Sequence, residues 1–542
     1  MRIYSFSPFG YEGALVMVEV DMRRGIPAID MVGLADGTVR ESRERMRMAI
    51  INSGFEFPCD HILISLSPAD IKKEGAGFDL AIAVALLTAA NEKADSADST
   101  QSDSIPDSSD AILSDSILSD SILIMGELEL SGNIRPVRGV FAAASSAYEA
   151  GIKKCIVPSE NFMEANFYGM SVMGAKTLQE AFDAALSGSF RAGSPAENIQ
   201  DDSEAPEFPV EFPSLESLEA LETGGEYAEV HGQQKLLRAL QIAAAGRHNL
   251  LAFGPPGCGK TLALSRFSAL LPLLTPEEAR SVTRIHSLAG DLPHNHTLMR
   301  VPPFRSPNQS TSFEGMTGGG KHCSPGEVSL AHNGVLFLDE AAEYNANVLQ
   351  SLRVPLESSS VTLSRAGKSS TYPASFQLLA ASNPCPCGNF GSENKICLCS
   401  VRSVETYWRK FSAPLLDRID IRVPVFMNDN TATHDEQTVS TAELRVDIAR
   451  AVAIQRKRQN KRNRFLHSDE IEKYCTRFME EDAREALTKA CEKYNFSQRG
   501  IASCKKLART IADMSGSEKI SATHVAEAVF FRKSEGGMGI LQ

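Results

Sequence analysis

The sequence predicts a mixed α/β chain that ends in an all-helical unit. Three observations carry this. A short apolar strand, residues 248–253 (HNLLAF), runs into a glycine-rich loop at 254–261 and then a helical stretch at 262–271. Two more apolar runs, 334–338 (GVLFL) and 376–382 (FQLLAAS), lead straight into polar residues, as buried strands of an open sheet do at their carboxyl ends. Towards the C-terminus apolar residues recur at helical spacing, with no strand pattern.

Taken in order, residues 14–20 read as a strand, 39–53 as an amphipathic helix, 61–66 as a strand and 78–90 as a buried helix. Residues 93–121 form a Ser/Asp-rich insertion; Ser-Asp-Ser-Ile-Leu occurs at 114–118 and again at 119–123, across its end. Its composition is that of a disordered surface segment. The α/β pattern resumes at Ile122 (ILIMGELELSG) and closes after a helical stretch from Leu178, so a first α/β domain spans 1–186. An acidic linker with Pro206, Pro209 and Pro213 covers 187–225. A second α/β domain follows at 226–427, then a helical unit at 428–542.

The net charge of −13 argues against a wholly basic binder, although a local basic channel fits within an acidic total. The first residues carry no long apolar core, and the apolar run 80–90 is too short to cross a bilayer. A cytoplasmic protein with no membrane partner is the expectation. Eleven cysteines without an export signal argue against disulfides.

The chemistry concentrates in the second domain. Gly254, Pro255, Pro256, Gly257, Cys258, Gly259, Lys260 and Thr261 match G-x-x-x-x-G-K-[ST]. In such a loop the glycines let backbone N–H groups curl around phosphate oxygens, and the helix N-terminus adds partial positive charge. Lys260 suits the β- and γ-phosphates of ATP, and Thr261 suits Mg²⁺. The strand at 334–338 ends in Asp339, placed to position Mg²⁺, and Glu340, placed to orient and deprotonate water. The third strand ends at Asn383, whose amide suits the lytic water or the γ-phosphate.

Cys385, Cys387, Cys397 and Cys399 form C-x-C, nine residues, C-x-C. Four thiolates suit a structural Zn²⁺; free reduced thiols or a redox-sensitive pair are the alternatives. The basic stretch 445–464 (Arg445, Arg450, Arg456, Lys457, Arg458, Lys461, Arg462, Arg464) is either a phosphate-contacting surface or a solvated helix face. The segments 304–309 and 318–322 read as loops, with DNA contact as their candidate role.

These elements in this order resemble the AAA+ ATPases, more closely their Mg-chelatase-like branch, and within it the ComM/YifB family. The resemblance rests on GLADGTVRESRERMRMAIINSGFEFP (33–58), SPADIKKEG (67–75), HGQQKLLRALQIAAAGRHNLLAFGPPGCGKT (231–261), SPGEVSLAHNGVLFLDE (324–340), SNPCPCGNFG (382–391), PLLDRIDI (414–421) and SQRGIASCKKLARTIAD (497–513). It implies a P-loop AAA+ core, a Lon-protease-like (S5-like) α/β N-terminal domain and a helical C-terminal lid. It also implies a homo-oligomeric ring, hexameric in the family's manner, that works on single-stranded or branched DNA as a helicase or branch-migration motor. A chelatase-type remodeller with a non-DNA partner is the other reading. Arg418 matches the arginine finger that reaches a neighbouring subunit's ATP. Arg499 matches the lid's sensor arginine, with Arg509 the competing candidate. Where Lon proteases carry a serine, the turn at 73–78 has none, and the block at 126–143 lacks the partner lysine, so the N-terminal domain is expected not to cut peptides. Family members carry two histidines where this chain has Asn308 and Gln309.

Overall fold

The computed structural model describes residues 1–34, 37–69, 73, 75–98, 120–167, 169–192, 210–222, 224–292, 298–320, 323–365, 368–390, 395–426 and 439–533. The bulk of the Ser/Asp-rich insertion (99–119), much of the acidic linker (193–209), Lys321, His322 and the boundary at 427–438 lie outside the described residues, as do Asp70, Ile71, Lys72 and Glu74.

The N-terminal part is built on an eight-stranded mixed sheet. Its spatial order is Arg191–Ala192, Ser171–Ala175, Lys154–Pro158, Ser121–Ile124, Arg2–Ser7, Ala14–Arg23, His61–Ser67, Ala28–Val32. The strand His61–Ser67 alternates strictly, with Ile62, Ile64 and Leu66 buried, so one face packs on a core. That core is closed by the helix Asp79–Asp98, in which Leu80 to Val84 are fully buried. On the opposite face Leu123, Cys155 and Val157 pack with the helix Val140–Glu149.

The second sheet has five parallel strands in the order Phe304–Arg305, Val335–Leu338, Gln377–Ser382, Leu250–Phe253, Ile421–Pro424. Helices cover both faces, which is why the strands read as continuous apolar runs. Leu250, Ala252, Val335 and Phe337 face one core, while Leu251, Phe253, Leu336 and Leu338 face the other. The predicted loop at 304–309 thus begins as an edge strand, pairing Phe304 with Val335 and Arg305 with Leu336. The helix predicted at 262–271 starts two residues earlier, as Lys260–Ser265, and tightens into a 3₁₀ turn at Arg266–Leu270.

Residues 441–532 are helical throughout their regular elements, as the apolar spacing predicts. Their core is continuous with the first face of the parallel sheet: Leu444, Ile448, Leu507 and Ile511 pack with Leu240 and Leu250. Polar ties reinforce the join. Thr441 Oγ1 and the Thr441 N–H donate to the Glu226 carboxylate, and the Tyr227 hydroxyl donates to the Ala263 carbonyl at 2.8 Å.

The helix Pro276–Ala289 links the two sheets. It opens on a Thr275/Glu278 capping box with proline in its first turn and closes on Gly290. Its far end docks on the N-terminal part. Arg284 donates to the carbonyls of Tyr11 and Glu12 and lies over the Tyr11 ring, and Ser287 donates to Glu164 at 2.6 Å. No helix among the described residues is long and apolar enough to cross a membrane.

Candidate functional site

Three neighbouring strands of the parallel sheet end on one cleft of about 250 Å³. Pro256, Gly257, Cys258, Gly259, Lys260, Thr261, Asp339, Glu340, Ser382 and Asn383 line it. This is the carboxyl edge of the sheet, where open α/β folds place their ligands. The loop's entry demands glycine: a Cβ at Gly254 would lie 1.9 Å from the Val425 carbonyl oxygen.

Lys260 is buried and its ammonium donates to the Gly254 and Pro255 carbonyls, each at 2.7 Å. Burial lowers its pKa, against the pull of Cys258, Asp339 and Glu340. Thr261 Oγ1 donates to Asp339 Oδ1 at 3.1 Å, so the hydroxyl and the carboxylate face one point. Two hard oxygen donors in that arrangement fit Mg²⁺, which takes one or two protein oxygens and completes its shell from phosphates and water. Asp339 also accepts the Glu340 N–H at 3.0 Å. Glu340 itself sits at φ +48°, a left-handed conformation costing roughly 1–2 kcal/mol in a non-glycine residue.

Sequence reasoning missed two members of this neighbourhood. Gln309 Nε2 donates to Glu340 Oε2 at 2.8 Å, so the position where the chain departs from the two-histidine pattern touches the candidate base. Glu357 receives both arginines: Arg418 NH2 and Arg499 NH2 pair with its two oxygens. Hydrogen bonding from Arg418 is the largest cause holding the Glu357 carboxyl below its ordinary range. Arg418 is further fixed by its bond to the Pro414 carbonyl at 2.7 Å, and Asn249 Nδ2 holds the Arg418 carbonyl at 2.8 Å. Neighbouring Asp417 is tied to Ser497 and Arg532 of the C-terminal helices. Arg418 and Arg499 therefore share Glu357 and do not line the cleft of Lys260.

Arg509 is differently employed. It is 2% exposed and bonded to Asp513 and to the carbonyls of Ser517 and Glu518. Several members of the basic stretch turn inward, while Arg450 and Lys457 are exposed. Arg458 pairs with Asp513, Arg462 donates to the Ala245 carbonyl, and Arg464 donates to the Arg247 and Phe376 carbonyls. Burial pushes the Arg462 guanidinium down to about 9 and that of Arg464 to about 10. Arg450 caps the Met514 carbonyl and Arg445 the Ala269 carbonyl. Of the other loop candidates, Arg305 is held by Glu327 and Asp291. In the N-terminal part Ser131 donates to Glu129 within its exposed turn.

The four cysteines converge immediately beyond Asn383. Cys385 Sγ lies 3.4 Å from Cys387 Sγ and 3.7 Å from Cys397 Sγ, and all four sulfurs fall within 4.8 Å of one another.

The description "Magnesium chelatase, subunit ChlI" matches residues 226–433, "Subunit ChlI of Mg-chelatase" matches 18–102 and 110–161, and "Magnesium chelatase, subunit ChlI C-terminal" matches 438–532. The chain is 35% identical to the competence protein ComM of Haemophilus influenzae, over 98% of this chain and 97% of that one. It is 38% identical to the uncharacterized protein YifB of Escherichia coli, over 98% and 96%. Similarity to the magnesium-chelatase 38 kDa subunit of Cereibacter sphaeroides is 26% identity over 29% of this chain and 52% of that subunit.

Proposed function

Because the chain belongs to the ComM/YifB family of Mg-chelatase-like, AAA+-type proteins, we propose that it is an ATP-hydrolysing ring motor that acts on DNA in the cytoplasm. The single observation that carries this reading is the convergence of Lys260, Thr261, Asp339, Glu340 and Asn383 on one cleft.

Each residue has a task there. Lys260 exchanges its two loop carbonyls for the β- and γ-phosphates of ATP. Thr261 and Asp339 hold Mg²⁺, which would neutralise charge on the transferred phosphoryl group. Glu340 accepts the proton of the attacking water, and Gln309 orients its carboxylate. Asn383 positions the same water or reads the γ-phosphate. Arg418 acts in trans, reaching the nucleotide of a neighbouring copy in a hexameric ring, and Glu357 stores it alongside Arg499 within the chain. Such a finger contributes on the order of 10³ to 10⁵ in rate. The ring is therefore required for turnover.

The unit from 428 onwards, whose described helices begin at Thr441, serves as the lid that carries Arg499. The N-terminal domain serves as a non-proteolytic Lon-like scaffold. DNA as substrate is supported by the relative named as a competence protein, whose likeness spans nearly all of this chain. A chelatase-type remodeller of a partner protein is the second reading, supported by the magnesium-chelatase subunit, whose likeness spans 29% of it.

The test is ATP hydrolysis by the purified chain with no DNA, single-stranded DNA and branched DNA, beside a Glu340→Gln control. A Glu340-dependent rate that rises with DNA, together with resolution of branched substrates, supports the motor. Hydrolysis indifferent to every DNA transfers the reading to the remodeller. Hydrolysis that survives Glu340→Gln removes the assignment of the base.

A further inference from the structure

We propose that Cys385, Cys387, Cys397 and Cys399 form a structural zinc site that braces the phosphate loop. A tetrahedral ion with Zn–S bonds of about 2.3 Å sets its sulfurs about 3.8 Å apart. The described separations of 3.4, 3.6 and 3.7 Å among Cys385, Cys387 and Cys397 already lie near that value. The widest distance in the cluster, 4.8 Å at most, needs a contraction of about 1 Å to reach it. Four soft thiolates with no open position suit zinc as a staple and leave no site for a reacting water. Binding converts four S–H groups to four Zn–S bonds and releases the protons to solvent.

The chain around the cluster is shaped for this. Cys385-Pro386-Cys387-Gly388 closes as a turn, with the Gly388 N–H on the Cys385 carbonyl at 2.9 Å, and the Phe390 N–H points at Cys385 Sγ at 3.4 Å. A backbone donor on a ligating sulfur offsets the charge of the thiolate. The second arm has little else to hold it. Residues 396–400 form no regular structure, and Ile396 and Leu398 are 82% and 89% exposed while Cys397 and Cys399 turn inward. Apolar burial normally fixes such a segment; here its large apolar side chains face water and its thiols face one another. Cys397 and Cys399 pack half-buried against the core beneath, and the convergence of all four sulfurs is the arrangement a metal staple requires.

The brace follows from two contacts. The turn begins one residue after Pro384, whose carbonyl accepts the Trp408 indole N–H at 3.0 Å, so the exit of the Asn383 strand is pinned to the helix Val401–Arg409. The tip of the turn rests on the phosphate loop: Gly388 sits at φ +78°, and a Cβ there would lie 2.8 Å from Pro256 Cδ. A rigid knuckle therefore fixes Asn383 on one side and Pro256 on the other. This bracing role, unlike the metal site itself, rests on the nucleotide-binding reading.

The full chain is produced in zinc-supplemented medium, and its metal content is measured by mass spectrometry beside a Cys397→Ser/Cys399→Ser variant and a Gly388→Ala variant. Binding of a fluorescent ATP analogue is measured on all three. About one zinc per wild-type chain is expected, with loss of the metal in the double-cysteine variant and an affinity for the analogue weakened roughly tenfold, as a 1.4 kcal/mol loss gives. Gly388→Ala is expected to keep its zinc and still weaken the analogue, because it leaves the ligands intact and displaces Pro256. Stoichiometric iron, or no metal in the wild type, overturns the zinc site. Zinc-free double variant that binds the analogue as tightly as wild type overturns the brace. If zinc-loaded wild type binds no analogue at all, the nucleotide reading and the brace fall together and the metal site stands. Cobalt substitution adds a readout independent of nucleotide: a tetrahedral thiolate site gives intense visible absorption, which the double variant lacks.

Discussion

Two arginines on the helix Gln498–Met514 compete for the sensor role, and the structure separates them by what each holds. Arg509 is buried against Asp513, which is itself fully buried, and it also donates to the Ser517 and Glu518 carbonyls at 2.6 and 2.7 Å. Asp513 keeps Arg458 and Asn463 as partners when Arg509 is removed, so the loss is partial. Breaking a buried pair costs about 3–5 kcal/mol, and the retained partners place Arg509→Ala near about 3 kcal/mol. At roughly 2–4 °C per kcal/mol for a folding unit of this size, the melting temperature falls by roughly 6–12 °C. Arg499 is 38% exposed and its visible partner is the exposed Glu357. Solvent screening makes that pair worth about 0–1 kcal/mol, so Arg499→Ala melts within roughly 4 °C of wild type. If Arg499 contacts phosphate during turnover, losing a hydrogen bond between charged groups costs about 1.5–3 kcal/mol, or roughly 10- to 150-fold in kcat. Calorimetry and steady-state ATP hydrolysis on both variants decide the matter. Wild-type stability with lost turnover in Arg509→Ala, beside full turnover in Arg499→Ala, would refute the assignment.

Other perturbations read different parts of the molecule. Gln309→Ala removes the amide on Glu340 Oε2; kcat is expected to fall roughly 10-fold or more with KM for ATP unchanged, whereas a rise in KM alone would make Gln309 a binding residue. Burial pushes the Asp79 carboxyl up to about 6 despite its pairing with Arg45. The folded state therefore holds this proton more tightly than the unfolded one, and stability falls as pH rises from about 4 to 6, by at most about 3 kcal/mol. Asp79→Asn is expected to flatten that slope in thermal unfolding, and parallel pH curves for variant and wild type would contradict it. Arg284→Ala removes the guanidinium shared by Tyr11, Glu12 and Ser146. Amide exchange in residues 9–13 is expected to quicken by roughly fivefold or more, and unchanged exchange would mean that Ser287 and Tyr11 hold the contact without it.

The parallel sheet was legible because burial on both faces writes itself as uninterrupted apolar letters, and its carboxyl edge because one such run opens into the glycine loop that ends in Lys260 and the other two run into Asp339 and Asn383. What escaped the sequence had no local signature. The edge strand Phe304–Arg305 is two residues long, too short for any period to register. Glu357 is an exposed carboxylate on a four-residue helix, and it meets Arg418 and Arg499 across 61 and 142 residues of chain. Gln309 meets Glu340 across 31. Much of the basic stretch turns inward for a physical reason. Dense arginine normally marks a surface, but a helix C-terminus leaves carbonyls without intrahelical partners and attracts cations. The helix Gln234–Gly246 ends beneath this stretch, and Arg462 and Arg464 cap its last carbonyls at Ala245 and Arg247. Arginine suits that work because it stays charged when half-desolvated and spreads five donors in a plane. The buried members of 445–464 are thus committed to internal carbonyls and carboxylates. Alanine at Lys457, the exposed member of the stretch without a resolved internal tie, is the substitution there that leaves packing alone.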